Sequence, residues 1–197
     1  AAVYYMLNKP AGCLTTAAAD PRGRPIVMQY VEHLPVRVFP VGRLDLDTEG
    51  LLLFTNDGRF ANMVTHPGHG VVKVYEAVVE ARPQARAIQK LERGILLDDG
   101  PAAPAKVRIL GKRTASVPRK GKPGGPVAEL ALGTVVEIRI QEGRKRIVKR
   151  MLQAAGHPLL SLRRTAIGML TLGDLKAGEG REISPEEIKL IFGGGCP

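Results

Sequence analysis

Residues 51–54, Leu-Leu-Leu-Phe, form an uncharged run that stops on Thr55-Asn56-Asp57-Gly58. A short apolar run closed by so strong a turn signal reads as a buried strand. In front of it, Val41-Gly-Arg-Leu-Asp-Leu-Asp-Thr-Glu-Gly50 places Asp45 and Asp47 in a polar loop at the lip of that strand. The chain must therefore fold around a core strand with carboxylates at its entrance, a position suited to chemistry.

The rest of the 197 residues fixes the setting. Apolar residues make up 44% of the chain, enough for a core, and formal net charge is +10, which points to a polyanionic partner, nucleic acid above all. The plain alternative is a basic surface that serves solubility alone. Two cysteines, Cys13 and Cys196, offer neither a disulfide framework nor a zinc spacing, so a reducing, cytoplasmic setting is expected. No apolar run reaches roughly 18 residues, and no signal-peptide pattern opens the chain. The chain starts at Ala1 and enters a strand-like segment at once, which suggests a segment upstream.

Along the chain, residues 3–7 read as a strand and 25–31 as a short helix with Pro25 in its first turn. Residues 59–64 fit a helix ending before His66. Residues 71–80 alternate with period two and put Lys73 and Tyr75 on one face. Residues 83–93 form a helix stopped by Gly94, and Asp98-Asp99-Gly100-Pro101 a turn. Strands are expected at 105–110, 135–140, 160–164 and 180–183, and helices at 146–155 and from the capping box Ser184-Pro-Glu-Glu187. Residues 111–126, rich in Gly, Pro, Lys and Arg, read as a mobile loop, and 193–197 as a tail. Interspersed strands and helices with hairpin-type turns argue for an α+β fold with a mixed, mostly antiparallel sheet.

Three constellations carry chemistry. Asp45, Asp47, Glu49 and Gly50 begin like a calcium loop, but Asn56 stands where the bidentate Glu belongs, and no entering helix precedes them. No metal is expected. Turn capping accounts for Asp47 and Thr48 but less well for Asp45, set between Leu44 and Leu46 after Arg43. The second constellation is Arg139, Arg144, Lys145, Arg146, Lys149, Arg150, Arg163 and Arg164, with Glu142 nearly the lone acid nearby. A solvated face normally mixes signs, so phosphate contact is favoured. Lys120 and Lys122 in the 111–126 loop extend it. The third is Tyr75: aromatics are 4% of the chain and Trp is absent, so a row of stacking platforms is out. One Tyr stacking on one extruded base remains open, as does a sheet Tyr packed in the core. His66 and His69 read as loop residues, and no phosphate-binding glycine loop opens a helix.

Four segments in order, Leu7-Asn-Lys-Pro-Ala-Gly12, Gly42-Arg-Leu-Asp-Leu-Asp-Thr-Glu-Gly-Leu51, Lys73-Val-Tyr75 and Glu142-Gly-Arg-Lys-Arg-Ile-Val-Lys-Arg-Met151, resemble the A-type RNA pseudouridine synthases that act on small-subunit ribosomal RNA. The likeness runs on through Arg163-Arg-Thr-Ala-Ile-Gly168 and Leu172-Gly-Asp-Leu-Lys-Ala-Gly178. It implies the pseudouridine synthase fold: a central sheet flanked by helices, with two lobes, near 1–65 and 66–192, around an active-site cleft. It implies Asp45 as catalytic aspartate and Arg43 as the arginine that holds the flipped site open. Tyr75 would be the base-stacking tyrosine, and Lys149 the cation paired with Asp45. The family usually has Arg where Lys149 stands, after Gln-Val rather than Ile147-Val148, so Arg150 is the alternative partner. Lys9, Lys73, Arg144, Arg146 and Arg150 join Lys120 and Lys122 as expected RNA contacts.

The reaction exchanges an N1–C1′ bond for C5–C1′. Carboxylate attack at C1′, a glycal route and attack at ring C6 all suit these residue types. No cofactor is required, and a monomer is expected. The S4-type domain that often precedes this catalytic domain is not recognised in the chain, and by analogy that favours large-subunit over small-subunit ribosomal RNA. The rival readings are a non-catalytic RNA-binding or ribosome-assembly protein on the same fold, and a glycosidase. The glycosidase lacks a second placed acid.

Overall fold

The computed structural model describes residues 1–118 and 128–193. In chain order the strands and helices are β1 (Tyr4–Lys9), β2 (Phe39–Val41), β3 (Glu49–Thr55), α1 (Gly58–Thr65), β4 (Lys73–Val79), α2 (Ala85–Arg93), β5 (Leu96–Leu97), β6 (Gly100–Pro101), β7 (Lys106–Pro118), β8 (Ala128–Ile140), α3 (Ile147–Ala154), β9 (Leu159–Ile167), β10 (Leu170–Thr171), β11 (Gly180–Glu182) and α4 (Pro185–Ile191). Single 3-10 turns lie at Val27–Tyr30 and Pro67–His69. The fold is α+β. Its sheet is mixed: β3 runs parallel to β9, whereas β1 with β3 and β11, β2 with β3, β7 with β8 and β10 with β9 are antiparallel.

Two compact units divide the chain: Ala1–Val74 with Arg163–Pro197, and Tyr75–Leu162. The expected lobes at 1–65 and 66–192 miss the return of the C-terminal segment to the first unit. That return is fixed by long-range pairing that no local pattern announces: β11 pairs with β1, and β9 enters beside β3.

The first unit is organised by β3. Its run Leu51, Leu52, Leu53, Phe54 is fully buried, as the absence of any charge requires. Strand β1 pairs along it from Tyr4↔Thr55 to Lys9↔Gly50, and β2 covers its far end. One face buries Met6, Leu51, Leu53 and Ile167 with Phe60 and Val64 of α1 and Ile191 of α4. Helix α1 starts at Asp57, whose carboxylate accepts hydrogen bonds from the Arg59 and Phe60 amides. Helix α4 carries the expected capping box, with Ser184 Oγ accepting from Glu187 N at 3.2 Å and Glu187 Oε2 from Ser184 N at 2.9 Å.

The second unit is built on β4, β7 and β8. Its core joins Ala77 and Val79, Leu91 of α2, Val136, Ile138 and Ile140 of β8, and Ile147, Val148, Met151 and Leu152 of α3. The apolar stripe expected for 146–155 is the buried face of α3. The loop expected at 111–126 is corrected for its first part: β7 runs on to Pro118, in register with β8 as far as Pro118↔Ala128. Ala115 is buried against Val78 and Val135, so the pairing partner rather than local alternation makes this segment a strand. The remainder of that loop, and the tail from residue 194, lie outside the described residues.

Candidate active site

Asp45 sits in a half-buried loop of the first unit between β2 and β3. Three side-chain and main-chain ties set its course. Thr15 Oγ1 donates to Leu44 O at 2.8 Å and accepts from Leu44 N at 3.2 Å. Gly12 N donates to Leu46 O at 2.8 Å, and Thr48 N closes a turn onto Asp45 O at 3.1 Å. The third tie is Lys9. Its ammonium donates to the carbonyl oxygens of Thr48 at 2.8 Å, Pro10 at 3.0 Å, Asp45 at 3.1 Å and Leu46 at 3.3 Å. Arg43, two residues earlier, is exposed.

This geometry corrects Lys9 as an RNA contact. The side chain is fully buried, and its donors are spent on main-chain oxygens of its own unit. Burial lowers the ammonium pKa, and Cys13, Asp47, Glu49 and Asp45 oppose that. Lys73 is no backbone-phosphate contact either: it is buried, and burial together with the Arg164 guanidinium brings its pKa down to about 8. Neither cation faces a solvent-borne phosphate. Arg164, read among the surface cations, is buried too, with Nε donating to Leu51 O at 2.8 Å.

The second unit holds Tyr75, half-buried against the core of β4, β8 and α3. It also holds the basic segment. Lys149 is exposed on α3, opposite Ile147, Val148, Met151 and Leu152. Arg146, at the N-terminal boundary of α3, has φ 54°, the one non-glycine residue with positive φ among those described. Arg144 and Arg150 were expected on phosphate; the structure seats them on the β5–β6 turn instead. Arg150 Nη2 reaches Asp98 Oδ1 at 2.5 Å and also Asp99 Oδ1. Arg144 bonds Asp99 Oδ1 at 2.8 Å, Pro101 O at 2.9 Å and the Glu142 carboxylate. Arg150 holds the Asp98 and Asp99 carboxyls below the usual carboxylate range. From the sequence alone Asp98 and Asp99 read only as turn formers, since nothing local links them to arginines some fifty residues on. Lys120 and Lys122 lie outside the described residues.

Chemically, the first unit offers a carboxylate on a loop with a fixed main chain, backed by buried cations. The second offers an aromatic ring and a cationic helix face. Among the described residues no group of three or more His, Cys, Asp or Glu side chains is placed to hold a metal ion, and no helix is long and apolar enough to cross a membrane.

Residues 3–154 match the family model of RNA pseudouridylate synthase. Ribosomal large subunit pseudouridine synthase B of Bacillus subtilis (strain 168) is 41% identical over 189 residues, covering 96% of this chain and 71% of that protein. Ribosomal large subunit pseudouridine synthase E of Xanthomonas campestris is 41% identical over 177 residues, covering 89% of this chain and 92% of that protein. A crystal structure of a pseudouridylate synthase superposes with a TM-score of 0.79 at 31% identity, covering 97% of this chain and 74% of that one. A match across this much of the chain, together with relatives this similar, shows that the chain belongs to the RNA pseudouridylate synthase family.

Proposed function

We propose that this isomerase converts a uridine of ribosomal RNA to pseudouridine, and that the RNA is that of the large ribosomal particle. Relatives at 41% identity carry large-subunit names, which supports this substrate over the small-subunit RNA that the A-type resemblance would suggest. Asp45 is the nucleophile, Tyr75 stacks on the flipped base and Arg43 helps to hold the vacated site open. Lys149 supplies a catalytic cation with its exposed ammonium, and Arg146 contacts the RNA. The protein acts as a monomer.

The observation that carries this reading is the Asp45 loop. Its main chain is bound at Leu44 by Thr15, at Leu46 by Gly12, and at Asp45, Leu46 and Thr48 by Lys9. A carboxylate that must meet C1′ in a near-attack geometry needs such support. An aromatic face offsets part of the cost of unstacking the base.

The test is pseudouridine mapping of large- and small-subunit ribosomal RNA after incubation with the protein. A new pseudouridine in large-subunit RNA is the expected result. A site confined to small-subunit RNA would overturn the substrate assignment. RNA binding with no new pseudouridine in either would favour the binding-protein reading.

A further inference from the structure

The first unit contains buried positive charge beyond that of the Lys9 clamp. Lys9 pairs across β1 and β3 with Gly50, and Gly50 pairs across β3 and β9 with Arg164. Residues directly opposite one another in a sheet share a face, so Lys9 and Arg164 flank a position that has no side chain. Gly50 has to be glycine: its φ is +109°, and a Cβ there would lie 2.2 Å from Arg164 O. Strand β4 is the neighbour of β9 on its other side, and its first residue, Lys73, feels the charge of Arg164. Three cations on neighbouring strands are thus buried, with exposures of 0%, 5% and 8% for Lys9, Arg164 and Lys73.

The three differ in what answers them. Lys9 is answered by four carbonyl oxygens and faces Asp45, Asp47 and Glu49. By contrast, Arg164 spends Nε on Leu51 O, but its buried Nη2 finds no acceptor. The charged group acting on Lys73 is Arg164, a like charge. Among the described residues no carboxylate forms an ion pair with either side chain. Burying two neighbouring cations without an anion is costly, and groups held at such cost concentrate at functional sites.

We propose that Lys73 and Arg164 form a buried cationic subsite that takes up the negative charge appearing on the pyrimidine ring as the N1–C1′ bond breaks. The inference rests on the reaction assigned above. When that bond breaks, its electron pair goes to the ring, where N1, O2 and O4 share the charge. With Asp45 as nucleophile, its carboxylate bonds to C1′ as N1 leaves and is displaced when the ring forms C5–C1′; C5 gives up its proton to solvent, and N1 takes one up, so the net change is isomerisation. Every route to pseudouridine passes through N1–C1′ cleavage, so the subsite serves all of them. Tyr75, the proposed stacking residue, follows Lys73 by two positions, and the period-two alternation points both toward one face. The donors are fixed before the charge develops, the condition under which such groups stabilise a transition state most. The lowered pKa of Lys73 leaves the ammonium largely protonated at neutral pH but sensitive to mild alkali.

The experiment compares wild type, Lys73→Met and Lys73→Arg on an RNA fragment that the wild type modifies, with single-turnover rate, RNA Kd and pH profile as readouts. Lys73→Met should react on the order of 10²-fold more slowly, with Kd within about threefold of wild type. Lys73→Arg should keep most of the rate. The wild-type rate should fall as pH rises through about 8, and that limb should vanish in Lys73→Arg. A wild-type rate in Lys73→Met, or a loss wholly accounted for by Kd, overturns the subsite. Should Lys73→Met fail to fold, an alkaline limb of equal position in wild type and Lys73→Arg overturns it instead. If the wild type forms no pseudouridine, the reaction itself is refuted and the subsite with it, a result distinct from an active wild type with an indifferent Lys73.

Discussion

Lys9→Met separates two accounts of one residue. The ammonium of Lys9 serves four carbonyl oxygens. Two of these keep another donor in the variant: Asp45 O from Thr48 N and Leu46 O from Gly12 N. Pro10 O and Thr48 O lose a charged donor at 3.0 and 2.8 Å, at about 1–3 kcal/mol each. Relief from burying an ammonium, whose pKa burial lowers, returns part of that. A net loss of about 3 kcal/mol remains, or roughly 6–12 °C in Tm for a chain of this size. Thermal and urea unfolding of wild type and variant measure it directly. RNA binding across a salt series supplies the contrast: a phosphate contact would lower the salt slope by about one unit and leave Tm alone. A Tm within about 2 °C of wild type with a reduced slope would refute the clamp and restore Lys9 to the RNA surface.

Further outcomes follow from single features. Gly50→Ala sets a Cβ 2.2 Å from Arg164 O at a φ of +109° and should cost about 3 kcal/mol or more; a soluble variant with wild-type Tm would show that β3 and β9 can separate without penalty. Ser184→Ala removes one half of the α4 capping box and should cost about 1 kcal/mol with no change in modification rate, measured by urea unfolding and pseudouridine yield. Arg150 lowers the carboxyl pKa of Asp98 and Asp99. Their contribution to stability is therefore complete above the unfolded carboxyl pKa, about 3.9, and is lost as pH falls through the folded values. Stability of Asp98→Asn/Asp99→Asn should accordingly depend less on pH below about 4 than that of wild type, and equal slopes would deny the pairing.

Legibility tracked how local each cause is. The β3 strand, the Gly94 helix stop, the α3 stripe and the Ser184 capping box each depend on a few neighbouring residues, and each is where the sequence places it. Strand β7 beyond residue 110 was hidden because Gly111-Lys-Arg-Thr-Ala-Ser116 has no alternation of its own; its order comes from β8. Charge misled most. Lys9, Lys73 and Arg164 read as surface cations, yet their burial depends on carbonyls and strands brought in from afar. Arg144 and Arg150 read as phosphate contacts, but their acids lie across a hairpin turn. The Asp45 motif was legible through family resemblance. The ties of its loop to Thr15, Gly12 and Lys9 emerged only with the fold.

The central claim is that Asp45 performs the isomerisation. Ribosomal RNA labelled with tritium at uridine C5 loses that label to water only when C5 bonds to C1′, so tritium release under single turnover reads the reaction directly. Wild type should release one equivalent per target site, and Asp45→Asn none, while its RNA Kd stays near wild type. Release by Asp45→Asn at the wild-type rate would contradict the account.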